Sequence, residues 1–434
     1  MIYWAPLLHF YQPPLQLHSV LKKVCDESYL PLIEVFRQYP TAKATVDICG
    51  VLTEMLWEHC HNDVIEGLVE LAQNRQIEFT GSAKCHAILP LVPESEMHRQ
   101  IARNHATNRH FFGDLFDPVG FFPPEMAYSK DIVDPLVQSR HEWVILDGEA
   151  CPMPWPTDVI HQIRREAGDI SVVFRDTILS NKISFQQLDP RDFLNDLRRI
   201  GQGKENAYVV TAMDAETFGH HIKNWERLFL ANVYEAISPA VQPSPPVSQQ
   251  QPLATPHVGL LQAERSGTDV QVVTISELLR KFPKGYYVEP FPSSWSTTSD
   301  DLAAHNYYPL WKDPGNAIHF YQWEHLNICF ELTDQAQDYA DNDDARQYAD
   351  IARALLDEAV HSDQFWWASR RPMWEINLIS RGLMQQREVI LNAFKAIKVS
   401  GCPEKEKREW YHRVVASRDL SNKIHDAILS QAPG

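Results

Sequence analysis

Two acids and two histidines crowd the end of an apolar run. Ala207-Tyr208-Val209-Val210-Thr211-Ala212-Met213 has the length and β-branched content of a buried strand, and Asp214, Glu216, His220 and His221 follow at once. A buried strand needs only the apolar part. Alternation along a strand turns Asp214 and Glu216 the same way, and carboxylates held together can act as acid, base or nucleophile. The bland alternative is a solvated turn in which Asp214 or Thr217 caps the next helix. A third acid stands out at Glu125, after Phe121-Phe122-Pro123-Pro124. The prolines stiffen the backbone and fix where that carboxylate points, although a glutamate at a helix start also simply favours the helix dipole. Glu125 and Asp214 together meet the need of a glycosidase for two carboxylates in different roles.

These residues must be delivered by a scaffold, and the sequence supplies one. Strand patterns at residues 2–8, 43–49, 76–80, 119–122, 142–146, 170–174, 207–213 and 270–274 alternate with helical patterns, which argues for parallel βα units. Polar or acidic residues recur where the strands end: His9, His86, Glu125, Asp147, Asp176 and Asp214. Several such clusters from separate strands describe the mouth of a barrel. Residues 239–257, rich in Pro and Gln, read as a surface insertion. From about residue 317 the pattern turns helical, with amphipathic segments at 318–339, 346–361, 374–398 and 405–429.

Composition narrows the function classes. The 434 residues are 44% hydrophobic and 11% aromatic, enough for a large core-forming domain and a smaller second one. A net charge of −17 without a basic run repels nucleic acid and anionic membrane and suits a neutral substrate. The opening Met1-Ile2-Tyr3-Trp4 lacks a basic leader pattern, so no secretory signal is expected. The seven cysteines are scattered and form no Cys-x-x-Cys pair. Free thiols in a reducing compartment, the cytoplasm, are the expectation.

The ordered motifs resemble glycoside hydrolase family 57. His9-Phe10-Tyr11-Gln12-Pro13 is similar to the family's first block, and Glu78-Phe79-Thr80-Gly81 through His86 to its second. Phe121-Phe122-Pro123-Pro124-Glu125 resembles the third, Met213-Asp214-Ala215-Glu216-Thr217-Phe218-Gly219-His220 the fourth, and Asp363-Gln364-Phe365-Trp366-Trp367 the fifth. The resemblance implies an α/β fold: an incomplete (β/α)7 barrel, here residues 1–300, followed by a helical C-terminal domain, residues 301–434, that contributes to the substrate cleft. It implies retaining chemistry on α-1,4-linked glucans, α-amylase-like, with Glu125 as nucleophile, Asp214 as general acid/base, and no cofactor or catalytic metal. Tyr11 stands where the family commonly has a histidine, and Phe122 where it has a tryptophan.

The remaining site expectations are sugar contacts at His9, His86, Glu216, His220, Trp295 and Trp367. Trp295 lies in the polar context Ser-Ser-Trp-Ser-Thr-Thr, and aromatic faces stack on sugar rings, although most aromatics are core. Asp214, closing an apolar strand and facing another carboxylate, has the desolvation and like-charge repulsion to keep a proton near neutral pH. Retention requires the two carboxyl groups about 5–5.5 Å apart. The alternatives are an α-glucan transferase on the same site (a branching enzyme or 4-α-glucanotransferase), a metal-dependent carbohydrate hydrolase or deacetylase using the histidines, and a glycan-binding protein without turnover.

Overall fold

The computed structural model describes residues 1–238 and 269–431, so the Pro/Gln-rich 239–257 stretch lies outside the described residues. The described residues contain ten strands: β1 (Ile2–Phe10), β2 (Ala44–Ile48), β3 (Ile77–Phe79), β4 (Gly120–Phe121), β5 (Trp143–Asp147), β6 (Ile160–Arg165), β7 (Gly168–Arg175), β8 (Ala207–Asp214), β9 (Val270–Val272) and β10 (Lys284–Tyr287). One parallel sheet runs β3-β2-β1-β8 with β9 also on β1, and a second runs β10-β6-β7-β5-β4. A bridge from Gly81 to Phe121 joins β3 to β4, and the Asp176 N–H bonds to the Val210 carbonyl where β7 meets β8. Seven strands thereby ring a common interior, and the β7/β8 seam is only partly laddered. β6 and β10, which the sequence reading missed, form an outer flap: β6 pairs antiparallel with β7 and carries β10 on its other edge.

β1 is the hub. It pairs with β8 along its whole length, and its other edge is shared between β9 at Ile2–Trp4 and β2 at Leu7–Phe10. The even residues of β1 bond on that shared edge, as Ile2 N–H to Asp269 and the Trp4 carbonyl to Val273 show. Pro6 therefore turns its missing N–H into the gap between β9 and β2, which is how a proline is tolerated in a central strand.

Side-chain alternation separates two environments. Ala5 and Leu7 of β1, Trp143 and Ile145 of β5, Val173 of β7, and Tyr208, Val210 and Ala212 of β8 pack together inside the ring. Trp4, Leu8 and Phe10, Val46 and Ile48, and Val209 and Met213 pack outward against the helices. The interior is thus filled, and the next inward position on each strand, at the C-terminal mouth, is polar.

The helices Ala317–Asp338, Asp343–Ala359, Ile376–Val399 and Glu404–Gln431 follow the amphipathic segments of the sequence. A buried ion network ties them to the ring. Arg99 and Arg103, on the helix Glu94–Phe112, reach Asp357, and Arg353 bridges Asp357 and Glu96. Asp357 and Glu96 are both buried. All seven cysteines are free and only Cys60 is exposed. Among the described residues no helix is long and apolar enough to cross a membrane.

Removing Asp357 leaves three arginines without their shared acceptor. Asp357→Ala should lower unfolding stability by about 3 kcal/mol, read from urea denaturation, with the far-ultraviolet spectrum of the folded protein unchanged.

Candidate active site

The strand register builds the site floor. His9 is the Cα partner of both Asp47 on β2 and Asp214 on β8. Asp147 is the partner of Arg175 on β7, and Arg175 donates from Nε to the Ala212 carbonyl of β8 and from NH1 to Asp147 at 2.7 Å. Asp47, His9 and Asp214 therefore lie side by side at the mouth, and the Arg175–Asp147 pair stands across the β7/β8 seam from them. Above them opens a cleft of about 1070 Å³, lined among others by His9, Glu125, Asp214, Glu216, Arg175 and Trp295. Trp311, Asp363, Trp366 and Trp367 line it from the C-terminal part.

Asp214 does not serve as a cap: its side chain makes no capping hydrogen bond to the turn Ala215–Thr217. Asp176, by contrast, accepts from Leu179 N–H at a helix start and is accounted for structurally. Glu125 sits in a left-handed backbone conformation, φ 58° and ψ 17°, which costs a non-glycine residue about 1–3 kcal/mol. Trp295 holds it there twice. The Trp295 N–H bonds to the Glu125 carbonyl at 3.0 Å, and the indole Nε1–H donates to Oε2 at 2.6 Å. Burial, then the charge of Asp214, pushes the Glu125 carboxyl up to about 8, against the pull of His9 and the Trp295 bond.

Glu216 also faces the cleft, accepting hydrogen bonds from Gln12 at 2.9 Å and from Tyr29. Burial and the charge of Asp214 push it up to about 7. His9 lines the cleft floor. Burial alone would pull it down, but its 2.6 Å bond to Asp47 and the charges of Asp47, Asp214 and Glu216 raise it to about 9.

The expected sugar contacts divide. His9, Glu216, Trp295 and Trp367 stand in the cleft wall; His86 and His220 do not. His86 is fully buried, bonded to His9 Nε2 at 3.1 Å and Ser362 Oγ at 2.8 Å, and covered by the Tyr11 ring stacked at 3.8 Å. His220 braces the outer turn by bonding to Glu27 at 2.7 Å. Gly219 makes this turn possible: its φ is +110°, and a Cβ there would lie 1.8 Å from the Glu27 carbonyl oxygen. His221 takes the wall position instead. Sequence reading passed over Arg175 and Asp363 as cleft groups, and over Asp47 as the buried partner of His9. Asp363 accepts from Tyr11, so the residue standing where the family has a histidine ties the barrel mouth to the C-terminal part.

The ring nitrogens of His9 and His86 hydrogen-bond to each other, to Asp47 and to Ser362. Among the described residues no group of three or more His, Cys, Asp or Glu is arranged to hold a metal.

Comparison with known proteins places this geometry. Residues 6–242 match the model of Glycosyl hydrolase family 57. The chain is similar to an alpha-amylase of Pyrococcus horikoshii, 26% identical over 313 residues, or 68% of this chain and 43% of that protein. It spans less than half the length of the curated relatives that head the comparison. Its fold is similar to the crystal structure of a branching enzyme from Pyrococcus horikoshii, with TM-score 0.69, 15% identity, and coverage of 100% of this chain and 97% of that one. The alpha-amylase AmyC of Thermotoga maritima gives TM-score 0.64 at 17% identity, covering 95% and 96% of the two chains. These folds are (β/α)7 barrels, in agreement with the architecture read from the sequence.

Trp295→Phe keeps the ring but removes the donor to Glu125. A hydrogen bond to a charged carboxylate is worth about 1.5–3 kcal/mol, so kcat should fall by about tenfold to a hundredfold with a smaller change in KM. The loss should be measured on a soluble maltooligosaccharide.

Proposed function

Because the chain belongs to glycosyl hydrolase family 57, we propose that it hydrolyses α-1,4-linked glucans with retention of configuration, through Glu125 and Asp214. The observation that carries this reading is that both carboxyl groups line one cleft, near enough that the charge of Asp214 raises Glu125. Two carboxylates so placed share one proton, and a double displacement needs one acid and one carboxylate.

In the first step a Glu125 oxygen bonds to the anomeric carbon while Asp214 passes a proton to the departing glycosidic oxygen. The bond from carbon to that oxygen breaks, and a glycosyl ester remains on Glu125. In the second step Asp214, now a carboxylate, takes a proton from water. The water oxygen attacks the same carbon and Glu125 leaves as a carboxylate. The one shared proton must sit on Asp214 at the moment of cleavage, when the positive charge developing at the sugar favours Glu125 as the anion. Strain at Glu125 and its two bonds from Trp295 place the nucleophile before substrate arrives.

His9 and Glu216 supply polar contacts at the donor sugar and take no part in proton transfer. Trp367 adds an apolar wall, and Trp295 can meet substrate only with its ring, since its N–H is taken. His86 and His220 act from behind the wall. A cleft of about 1070 Å³ exceeds the usual upper end of small-molecule sites, about 1,000 Å³, and suits a chain of sugars. The six buried free thiols accord with a reducing cytoplasm.

Incubation with maltoheptaose and with amylose tests the activity. Glucose and short maltooligosaccharides released as α anomers are expected. Longer chains or new α-1,6 linkages would make the protein a transferase on the same site, and β-anomeric product would overturn the carboxylate roles. Glu125→Gln should abolish covalent trapping by a fluorinated glucosyl fluoride. Asp214→Asn should lower kcat by about 10²–10⁴-fold, most for poor leaving groups. The pH dependence has a definite sign. The working pair holds one proton, so kcat/KM should fall as pH rises through about 8, where the proton raised by burial and by Asp214 is lost.

A further inference from the structure

We infer that Asp47, which never reaches the cleft, is a positioning residue for the reaction: it fixes His9 as the buried cation beside the Glu125–Asp214 pair. The inference rests on the carboxylate roles proposed above and goes beyond them to a residue that touches no substrate.

Geometry carries it first. Asp47 is fully buried on β2 and is absent from the cleft wall. Its Oδ2 meets His9 Nδ1 at 2.6 Å and its Oδ1 accepts from Thr80 Oγ1 at 3.1 Å. On the far side His9 Nε2 meets His86 Nε2 at 3.1 Å, and His86 Nδ1 meets Ser362 Oγ at 2.8 Å. The hydrogen bonds accommodate His9 as a double donor, the order that the acids Asp47, Asp214 and Glu216 around it favour over one in which Ser362 donates to His86 and His86 to His9. Burial holds His86 neutral, well below its ordinary range. A neutral His86 that gives its one proton from Nδ1 toward Ser362 presents a lone pair at Nε2. In that order His9 donates into it, and it also donates to Asp47 through Nδ1. An imidazole that donates from both nitrogens is an imidazolium.

Charges from every element packed around His9 act on this cation. They are Asp47 from β2, Asp214 and Glu216 from the end of β8, Glu125 from the turn after β4, and neutral His86 from the segment after β3. Tyr11, further along its own segment, is an uncharged phenol. Burial pushes Asp47 up, and the bonds from His9 and Thr80 pull it back toward the carboxylate. Arg175, the other cation at the mouth, is committed to Asp147. His9 is therefore the cation that offsets the reacting carboxylates, and its charge depends on Asp47.

The test uses the full chain and Asp47→Asn, which keeps the shape and removes the charge. Losing the imidazolium disfavours every anionic form of the pair, so each carboxyl keeps its proton to higher pH. Both limbs of the kcat/KM profile should move upward together by about one to two pH units, with the rate of covalent labelling of Glu125 moving in step. A merely structural role would lower the height of the profile and leave its limbs in place, and that result overturns the inference. If Asp47→Asn fails to fold, Thr80→Val should give a smaller shift of the same sign, and unmoved limbs there overturn it equally. Labelling of wild-type protein at a residue other than Glu125 would instead overturn the catalytic assignment, which keeps the two failures apart.

Discussion

Everything in the site hangs on a single layer of opposite charges laid across the strand ends. Asp47, His9, Asp214, Arg175 and Asp147 stand around the mouth, with His9 bonded to Asp47 and Arg175 to Asp147. Opposite charges about 4 Å apart attract by about 4 kcal/mol at an effective dielectric constant of 20, and a like neighbour would repel by as much. The layer is stable because strand pairing, not side-chain search, sets the neighbours. The ladder hydrogen bonds place each Cα, and the filled apolar interior below leaves these side chains no inward alternative.

That dependence explains what could be read along the chain. Asp214 was visible because an apolar run ended abruptly in acids, and Glu125 because two prolines preceded it. The barrel was visible because buried parallel strands are apolar on both faces. Asp47 was not: inside Lys43-Ala44-Thr45-Val46-Asp47-Ile48-Cys49 it looks like one polar residue in a strand, and its meaning comes from a partner 38 residues away. The two bonds from Trp295 to Glu125 span 170 positions and leave no local signal. β6 and β10 were missed because an outer flap carries exposed polar positions and lacks the continuous apolar pattern of the ring. His86 and His220 were read as wall residues from their place after strands, but strand-end position fixes location and leaves the direction of a loop side chain open.

The C-terminal helices are part of the catalytic geometry rather than an appendage. Asp363 takes the Tyr11 hydroxyl, Ser362 terminates the His9–His86 chain, and the tryptophans 366 and 367 close one side of the cleft. The network at Asp357 holds these groups against the ring from the rear. Cleft width is thereby tied to the packing of a helix that carries no reacting group.

Pro6 bears on all of this from the middle of β1. A parallel strand can slide along its neighbour, and a slip of one residue reverses the facing of every side chain. Slipped inward by one, β1 would turn His9 out among the helices and bring Leu8 or Phe10 to the mouth, leaving Asp47 and Asp214 to repel across a greasy gap. At Pro6 no N–H is available on the edge that β9 and β2 share, so each can ladder only up to that point. The proline works as a printer's registration mark: it adds nothing to the image, and it keeps the colours from misaligning.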